Sequence, residues 1–190
     1  MSSLPLQEVK HLVEYWLKDI VIGLGLCPFA SKPARDNTIA IQVVYPQSDD
    51  ELLTLIDEEM QRLDTLGSEV IETSLVVFPE LLQDFFDYNQ FLQWANRSLK
   101  RNGWQGTFQL ASFHPDYVFA GSEQNDPENL TNRAPFPMIH IIREASLEKA
   151  LAFYPDIEQV PEKNQALMES MASADVERLF YFLFDSKKPH

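Results

Sequence analysis

Cysteine is nearly absent from this chain, since Cys27 is the only one among 190 residues. A single cysteine cannot form a disulfide within one chain, and the C-x-x-C pattern of dithiol redox proteins is missing. Such cysteine usage is typical of a reducing compartment, where disulfides are rare. The N-terminus also lacks the basic stretch and apolar core of a secretory signal. We therefore predict a cytoplasmic protein.

Long apolar runs and positive charge are also scarce. No stretch approaches the roughly 20 apolar residues that span a bilayer. The 15 Lys and Arg residues face 29 Asp and Glu residues, which gives a formal net charge of −14. This charge repels nucleic-acid backbones and anionic membrane surfaces, so we expect neither as a partner. It also draws attention to the few arginines among apolar residues, because a small anionic ligand would need them.

The composition that remains is that of one globular domain, residues 1–190. The hydrophobic fraction is 45%, and an aromatic content of 12% argues against disorder. No internal repeat, low-complexity tract or domain boundary is evident. The sequence indicates neither a cofactor nor an oligomeric state.

Hydrophobic periodicity predicts alternating helices and strands. The predicted helices are 6–22, 48–66, 83–101, 146–154 and 162–184, and the predicted strands are 38–45, 70–78, 104–113 and 138–143. A short helical turn is the alternative for 138–143. On helix 83–101, Phe86 and Trp94 are expected to be largely buried. The order helix, β-α-β-α-β, loop, β and two helices predicts an α/β fold, with α+β possible, in which helices flank a mixed sheet of about four strands.

Residues 113–137 form an unusually long connection between the last two predicted strands. Such a connection in a compact domain is either functional or disordered, and the aromatic and apolar residues at its borders favour a functional role. If the fourth strand runs antiparallel beside the third, both ends of the loop lie at one edge of the sheet. The residues that would then converge are His114, Asp116, Asn132, Arg133 and His140.

Two histidines are candidate catalytic groups. His114 could act as a general acid or base while Asp116 orients its ring. The alternative is a turn under which His114 packs. His140 lies in an alternating apolar strand, where a hydrogen-bonded core histidine is the alternative. The side chains of His114, Asp116 and His140 could also hold a metal ion together, although close ligand spacing such as H-x-H is absent.

Arginines and the cysteine complete the candidate site. Asn132 and Arg133 precede a proline turn, and arginine binds carboxylate or phosphate through two hydrogen bonds. An internal salt bridge of Arg133 is the alternative. Arg143 and Arg35 are further candidate ligand-binding residues, and Arg143 also suits a structural role. Cys27 could be a nucleophile if an imidazole lowered its pKa, but its apolar neighbours favour a buried structural cysteine.

Three segments carry a resemblance to a known family: GLGLCPFA, LASFHPDYVFAG and NRAPFPMIHIIREAS. Over nearly the whole chain, this combination resembles an uncharacterised, mostly bacterial family classed as a domain of unknown function. Ala134 and Phe136 replace the Ser and Tyr that are frequent in that family, so a hydroxyl at either position is not essential here. The resemblance implies a site without implying an activity, and it places these residues at motif positions: Cys27, Pro28, Phe29, His114, Pro115, Asp116, Asn132, Arg133, Pro135, Pro137, His140, Arg143 and Glu144.

The leading hypothesis is a small enzyme that acts on a small anionic molecule at a His/Asp/Arg site within residues 113–144. In it Arg133, together with Arg35, holds the anion, while His114 acts as acid or base and Asp116 orients its ring. Cys27 is then a nucleophile or a wall of the site. The alternatives are a protein-binding adaptor that presents the prolines and aromatic residues of the loop, and a metal-binding protein.

Overall fold

A computed structural model describes residues 4–152 and 157–184 of the chain. Within these residues, four strands form one mixed sheet with helices on both faces, which confirms the α/β fold. The strands are β1 Ile39–Val43, β2 Thr73–Val77, β3 Phe108–Phe113 and β4 Met138–Arg143. The α-helices are α1 Leu6–Tyr15, α2 Ser31–Arg35, α3 Asp49–Leu66, α4 Phe85–Arg101, α5 Glu144–Leu151, α6 Val160–Ser170 and α7 Ser173–Leu179.

Strand β4 occupies an interior position in the sheet, whose order is β1-β2-β4-β3. β1 and β2 are parallel, while β4 is antiparallel to both β2 and β3. The antiparallel pairing of the third and fourth strands, the condition for the two ends of the loop to meet, is therefore present, with Phe113 opposite Met138. The free edges of the sheet are consequently β1 and β3, so β4 offers no edge to a partner protein.

The two faces of the sheet bury two separate hydrophobic cores. The first core joins the sheet to α1, α6 and the segment after α7, and its buried residues include Val9, Trp16, Leu75, Met138 and Phe180. The second core lies under α3 and α4, with Leu52, Ile56, Val76, Phe91 and Ile139 among its members. Successive side chains of a strand point to opposite faces, so Met138 and Ile139 of β4 enter different cores.

The predicted first helix changes its hydrogen-bonding pattern halfway along. After α1, residues Trp16–Ile22 continue as a π-helix. The Trp16 Nε1–H donates to the Arg133 carbonyl at 2.9 Å, and the Trp16 ring meets the Phe113 ring edge-on at 5.0 Å. This segment thus ties the N-terminal helix to the long loop. Apolar spacing alone predicts a helix here without distinguishing α from π bonding.

Helix α3 has the ends that its sequence predicts, whereas α4 exposes two residues that we expected to be buried. The Ser48 hydroxyl accepts the Glu51 N–H at 3.2 Å, and Gly67 ends α3 with a φ of 77°. Phe86 is 68% exposed and Trp94 is 43% exposed, so the prediction of their burial is wrong. Phe86 and Trp94 lie outside the inward-facing stripe of α4. The buried residues of that stripe, which recur at helical spacing, include Tyr88, Phe91, Ala95 and Leu99.

The C-terminal part differs most from the prediction. α5 begins at Glu144, directly after β4, and residues 153 and 154 of the predicted helix 146–154 lie outside the described residues. The single helix predicted over 162–184 is wrong, because Met171 has an extended backbone between α6 and α7. No helix in the described part of the chain combines the length and the apolar character needed to cross a membrane.

Tyr88 of α4 connects β3 to β4 where the two strands separate. Its side chain is fully buried, and its hydroxyl donates to the Met138 carbonyl at 2.8 Å and accepts the Phe113 N–H at 3.1 Å. Burial raises the pKa of Tyr88, so the phenol stays neutral at physiological pH. We expect Tyr88→Phe to lower the free energy of unfolding by about 2 kcal/mol, because two buried backbone groups lose their partner.

Urea titration of the folded protein measures this change. Tyr181→Phe is the matched control, because Tyr181 is 40% exposed and surface changes usually stay within about 0.5 kcal/mol. Equal stability of Tyr88→Phe and the wild type would show that the hydroxyl does not hold the two strands.

Candidate functional site

The loop 114–137 folds back onto the C-terminal end of β3 and brings several predicted site residues together. The His114 N–H donates to the Asn132 carbonyl at 3.3 Å, and the Ala134 N–H donates to the His114 carbonyl at 3.4 Å. The Asn132 Nδ2 also donates to the Ser112 carbonyl at 3.2 Å. The two ends of the loop, with Asn132 beside His114, therefore meet at one edge of the sheet.

His114 is completely buried at this junction. Its ring lies against the rings of Phe85 and Tyr88, with centroid distances of 5.2 and 5.0 Å. The His114 Nδ1 accepts the Asp116 N–H at 3.0 Å, so the ring proton belongs on Nε2, which lies 3.1 Å from the Leu82 carbonyl. Both ring nitrogens thus bind the backbone. The geometry favours the turn alternative and gives an acid–base role no support.

The acceptor of His114, Leu82, has a strained backbone. Its φ of 56° lies in the left-handed region, which is unfavourable for a residue with a side chain. The Gln83 side chain adds a second bond nearby by donating to the Pro79 carbonyl at 2.9 Å. His114 therefore stabilises the connection between β2 and α4 from a position far away in sequence.

Arg133 clamps the loop through backbone carbonyls. Its Nε donates to the Tyr117 carbonyl at 3.3 Å, and a terminal nitrogen donates to the Gln124 carbonyl at 2.5 Å. Desolvation lowers the pKa of Arg133, and the exposed Asp116 carboxylate opposes this shift. The guanidinium that was predicted to bind an anion thus donates hydrogen bonds to two carbonyl groups of its own loop.

The other two predicted arginines lie away from the loop. Arg143 donates to the Ile71 carbonyl at 3.2 and 3.0 Å and also to the Leu63 carbonyl near the end of α3. Its guanidinium lies 5.5 Å from the Phe108 ring centroid. Arg35 is largely exposed, and its Nε lies 3.9 Å from an Asp36 carboxylate oxygen. The geometry therefore favours the structural role of Arg143 and assembles no anion site from these groups.

His140 lies in the middle of β4, on the face that carries the first core. Its Nε2 is 2.5 Å from the Thr73 hydroxyl, which in turn donates to the Ile141 carbonyl at 2.6 Å. Because the hydroxyl proton is used there, Nε2 carries the ring proton. Desolvation lowers the pKa of His140 to about 4, so the ring is neutral at physiological pH. The core-histidine alternative fits this geometry.

The metal alternative requires His114, Asp116 and His140 to point at one position. Among residues 4–152 and 157–184, no group of three His, Cys, Asp or Glu side chains is placed to hold a metal ion. The rings of His114 and His140 bond separate groups, namely the Leu82 carbonyl and the Thr73 hydroxyl. The described geometry therefore does not support a metal centre at these residues.

Asn129 is a determinant of the loop that the sequence did not reveal. It is completely buried, its Oδ1 accepts the Phe119 N–H at 3.0 Å, and its Nδ2 donates to the Glu123 carbonyl at 2.8 Å. It belongs to the 3₁₀-helix Pro127–Thr131. Its neighbours are acidic and turn-forming, so the segment resembles a solvated turn. Only the Asp126-Pro127 pair, a typical turn signal, indicates order here.

A cleft of about 440 Å³ lies between the loop, the segment after the π-helix and the start of α6. Cys27 and Asn132 are the predicted site residues that line it. The other lining residues were not candidates for a catalytic or ligand-binding role, because the cleft forms between parts of the chain that are distant in sequence. These residues are Val21, Leu26, Phe113, Phe119, Glu128, Thr131, Val160, Pro161, Glu162, Asn164 and Gln165.

Hydrogen bonds hold the walls of the cleft together. The Asn164 Nδ2 donates to the Leu26 carbonyl at 2.8 Å, which attaches α6 to the segment of Cys27. The Gln165 Nε2 donates to a Glu128 carboxylate oxygen at 2.7 Å, and the Ser122 hydroxyl binds the other oxygen. These bonds fix α6 against the loop, so the cleft is part of the folded structure.

The charge of the cleft is negative. Its described lining contains the carboxylates of Glu128 and Glu162 and no Lys, Arg or His side chain. An anion would meet repulsion there, whereas a cation or a neutral polar group would not. This sign is opposite to the one that the sequence-based hypothesis of an anionic substrate requires.

The Cys27 thiol is a half-buried wall of the cleft. Burial raises the pKa of the Cys27 thiol, and hydrogen bonds from the N–H groups of Phe29 and Ala30 oppose this shift less strongly. The described lining contains no imidazole that could accept the proton of the Cys27 thiol. At neutral pH the thiol is therefore protonated, which makes it a weak nucleophile.

Replacing the buried imidazole tests the role of His114. We expect His114→Ala to lower the free energy of unfolding by about 3 kcal/mol, because it leaves a cavity and removes the partners of the Leu82 carbonyl and the Asp116 N–H. Urea titration measures this loss, and His11→Ala on the exposed face of α1 is the control. A variant as stable as the wild type would contradict the structural role.

Acidification is expected to destabilise the protein through His140. Its pKa is about 4 in the folded protein, against about 6.5 for histidine in an unfolded chain. Between these values only the unfolded state binds the proton, so the free energy of unfolding falls as the pH drops from about 6.5 to 4. His140 as a residue is partly exposed, so the full loss of about 3 kcal/mol is an upper bound.

Urea titrations near pH 4.5 and pH 7 measure this loss, since the two values bracket most of the titration of His140. His140→Gln removes the titrating ring and should lose less stability on acidification than the wild type, by about 2 kcal/mol. His11→Gln keeps His140 and should behave like the wild type. Equal losses in the wild type and in His140→Gln would refute the assignment to this ring.

A family model described as "Protein of unknown function (DUF1415)" matches residues 8–178. The matched range runs from α1 into α7 and includes the loop and the cleft residues. No curated protein and no solved structure matches the chain significantly. The match covers most of the 190 residues, and the chain therefore belongs to the DUF1415 family of proteins of unknown function.

Proposed function

We propose that this protein binds a small molecule in the cleft beside Cys27, and that the ligand has an apolar body with a neutral or positively charged polar group. The cleft itself is the observation that supports this function most strongly. Its volume of about 440 Å³ lies within the ~300–1,000 Å³ of typical ligand sites. Apolar walls with a few fixed polar groups are also typical of such sites.

The polar part of the ligand would lie near the carboxylates of Glu128 and Glu162. Glu128 already accepts hydrogen bonds from Ser122 and Gln165, so it is held in place before a ligand arrives. Such preorganisation reduces the entropy lost on binding. The apolar part would contact Leu26, Phe113 and Phe119, which belong to the same lining.

Binding has better support than catalysis in this geometry. A general acid or base needs a titratable group within hydrogen-bond reach of the substrate. The ring nitrogens of His114 bind backbone groups, His140 bonds Thr73, and the Cys27 thiol is protonated at neutral pH. A small cytoplasmic enzyme with an anionic substrate thus stays a prediction that these contacts do not favour.

The adaptor alternative also has less support. It requires the aromatic residues of the loop to be displayed to a partner protein. Phe136 is buried, Phe113 packs on Trp16, and Tyr117 contacts both Phe85 and Phe119. These rings are therefore occupied in packing within the chain.

Three probes that share one ring test the proposed ligand class. They are benzylammonium, benzyl alcohol and benzoate, which carry a positive, a neutral and a negative group. We expect dissociation constants on the order of millimolar for the first two and weaker binding of benzoate, because the lining is negative. Amide chemical-shift changes at cleft residues measure the affinities.

Two substitutions locate the binding in the cleft. Val160→Trp should fill the cleft and abolish binding, whereas Val70→Trp on an exposed surface should not. Glu162→Lys should move the preference toward benzoate by on the order of tenfold, and Glu58→Lys on the exposed side of α3 should leave it unchanged. Absence of binding of all three probes at about 10 mM, or equal effects of Val160→Trp and Val70→Trp, would refute the proposal.

A further inference from the structure

Among the strands of the described residues, none lies beside the outer edge of β1. β1 pairs with β2 on one side only, since the sheet order is β1-β2-β4-β3. The Thr38 carbonyl accepts the Glu72 N–H at 2.8 Å, and the Val44 N–H donates to the Val77 carbonyl at 2.8 Å. The N–H and C=O of one residue point to the same side of a strand, and neighbouring residues alternate. The N–H and C=O groups of Ala40 and Gln42 thus point toward β2.

The backbone groups of the other residues of β1 point away from β2. These residues are Ile39, Ile41 and Val43. Within residues 4–152 and 157–184, no hydrogen bond reaches their N–H or C=O groups. All residues of β1 are partly exposed. The edge therefore presents a row of unpaired donors and acceptors whose natural partner is another extended strand.

β1 lacks two of the devices by which edge strands avoid pairing with other chains. The segment Ile39–Val43 contains no charged residue and no proline. The other edge of the sheet differs, because the loop covers the C-terminal end of β3, where the Asn132 side chain binds the Ser112 carbonyl. Within residues 4–152 and 157–184, no such side-chain hydrogen bond reaches the outward backbone groups of Ile39, Ile41 and Val43.

A second copy of the same strand complements this edge. In an antiparallel arrangement with a two-fold axis at Ile41, Ile41 lies opposite Ile41 of the other copy, and Ile39 lies opposite Val43. Each of these residues donates its N–H to the C=O of the opposite residue and accepts the N–H of that residue with its own C=O. Their β-branched side chains share one face of the sheet, and Ala40 meets Gln42 on the other face. No like charges lie opposite each other.

We propose that the protein forms a two-fold dimer through antiparallel pairing of β1, which joins two four-stranded sheets into one. Such an interface is isologous and closes after two copies, so it does not propagate into a fibre. Each copy carries a net charge of −14, so repulsion opposes association at low salt. Screening by salt reduces that repulsion, and the dimer should be favoured as the ionic strength rises.

Charge substitutions at the two-fold axis test the dimer. By sedimentation, the wild type should have twice the chain mass of 21.9 kDa, with a dimer fraction that rises between about 0.01 M and 0.5 M salt. Ile41→Lys and Ile41→Glu should each be monomeric, because like charges meet at the axis, and an equimolar mixture of the two should dimerise. Val70→Lys, which places the same charge on an exposed surface, should remain dimeric.

Hydrogen exchange in the unsubstituted protein gives a test that does not depend on the folding of a variant. The amides of Ile39, Ile41 and Val43 should exchange slowly at high protein concentration and fast at low concentration. The amides of Ala40 and Gln42 bond β2 and should exchange slowly at both. A wild type that stays monomeric at about 1 mM and high salt, a dimeric Ile41→Lys, or concentration-independent exchange at Ile41 would each overturn the proposal.

Discussion

The insertion of β4 between β2 and β3 is the constraint on which the rest of the structure depends. β4 satisfies the backbone of both neighbours, and its alternating side chains contribute to both cores. Two neighbouring antiparallel strands need only a short hairpin to connect them. The chain uses residues 114–137 instead. The strand pairing does not require a loop of this length. The additional residues of the loop form one wall of the cleft.

Three polar residues of the loop are bound to backbone groups. His114 serves the Leu82 carbonyl and the Asp116 N–H, Arg133 serves two carbonyls, and Asn129 serves the Phe119 N–H and the Glu123 carbonyl. Backbone groups in a folded loop need partners when they leave water. The side chains that give the sequence its conspicuous motifs supply these partners. The residues that first suggest catalysis therefore explain how the long loop keeps one conformation.

The predictability of the fold follows the locality of its signals. Ser48, Gly67 and the alternation of 138–143 act within a few residues, and the elements that they indicate are present. The π-helical bonding after α1 and the break at Met171 have no comparable local signal.

The site was less predictable for the same reason. The contact of His114 with Leu82 and that of Asn164 with Leu26 each join segments that are distant in the sequence. Residue types alone made Cys27 and Asn132 candidates, and both line the cleft. The residue types did not indicate that α6 completes the cleft or that its charge is negative.

Asn132 contributes both to the cleft and to the cover of the β3 edge. Its side chain covers part of the β3 edge through the Ser112 carbonyl, and the same residue lines the cleft. The loop that builds the cleft thus also protects one edge of the sheet, and among the described residues no segment does the same for β1. Because no residue of β1 lines the cleft, ligand binding and strand pairing use separate parts of the chain. A dimer formed through β1 would therefore keep both clefts.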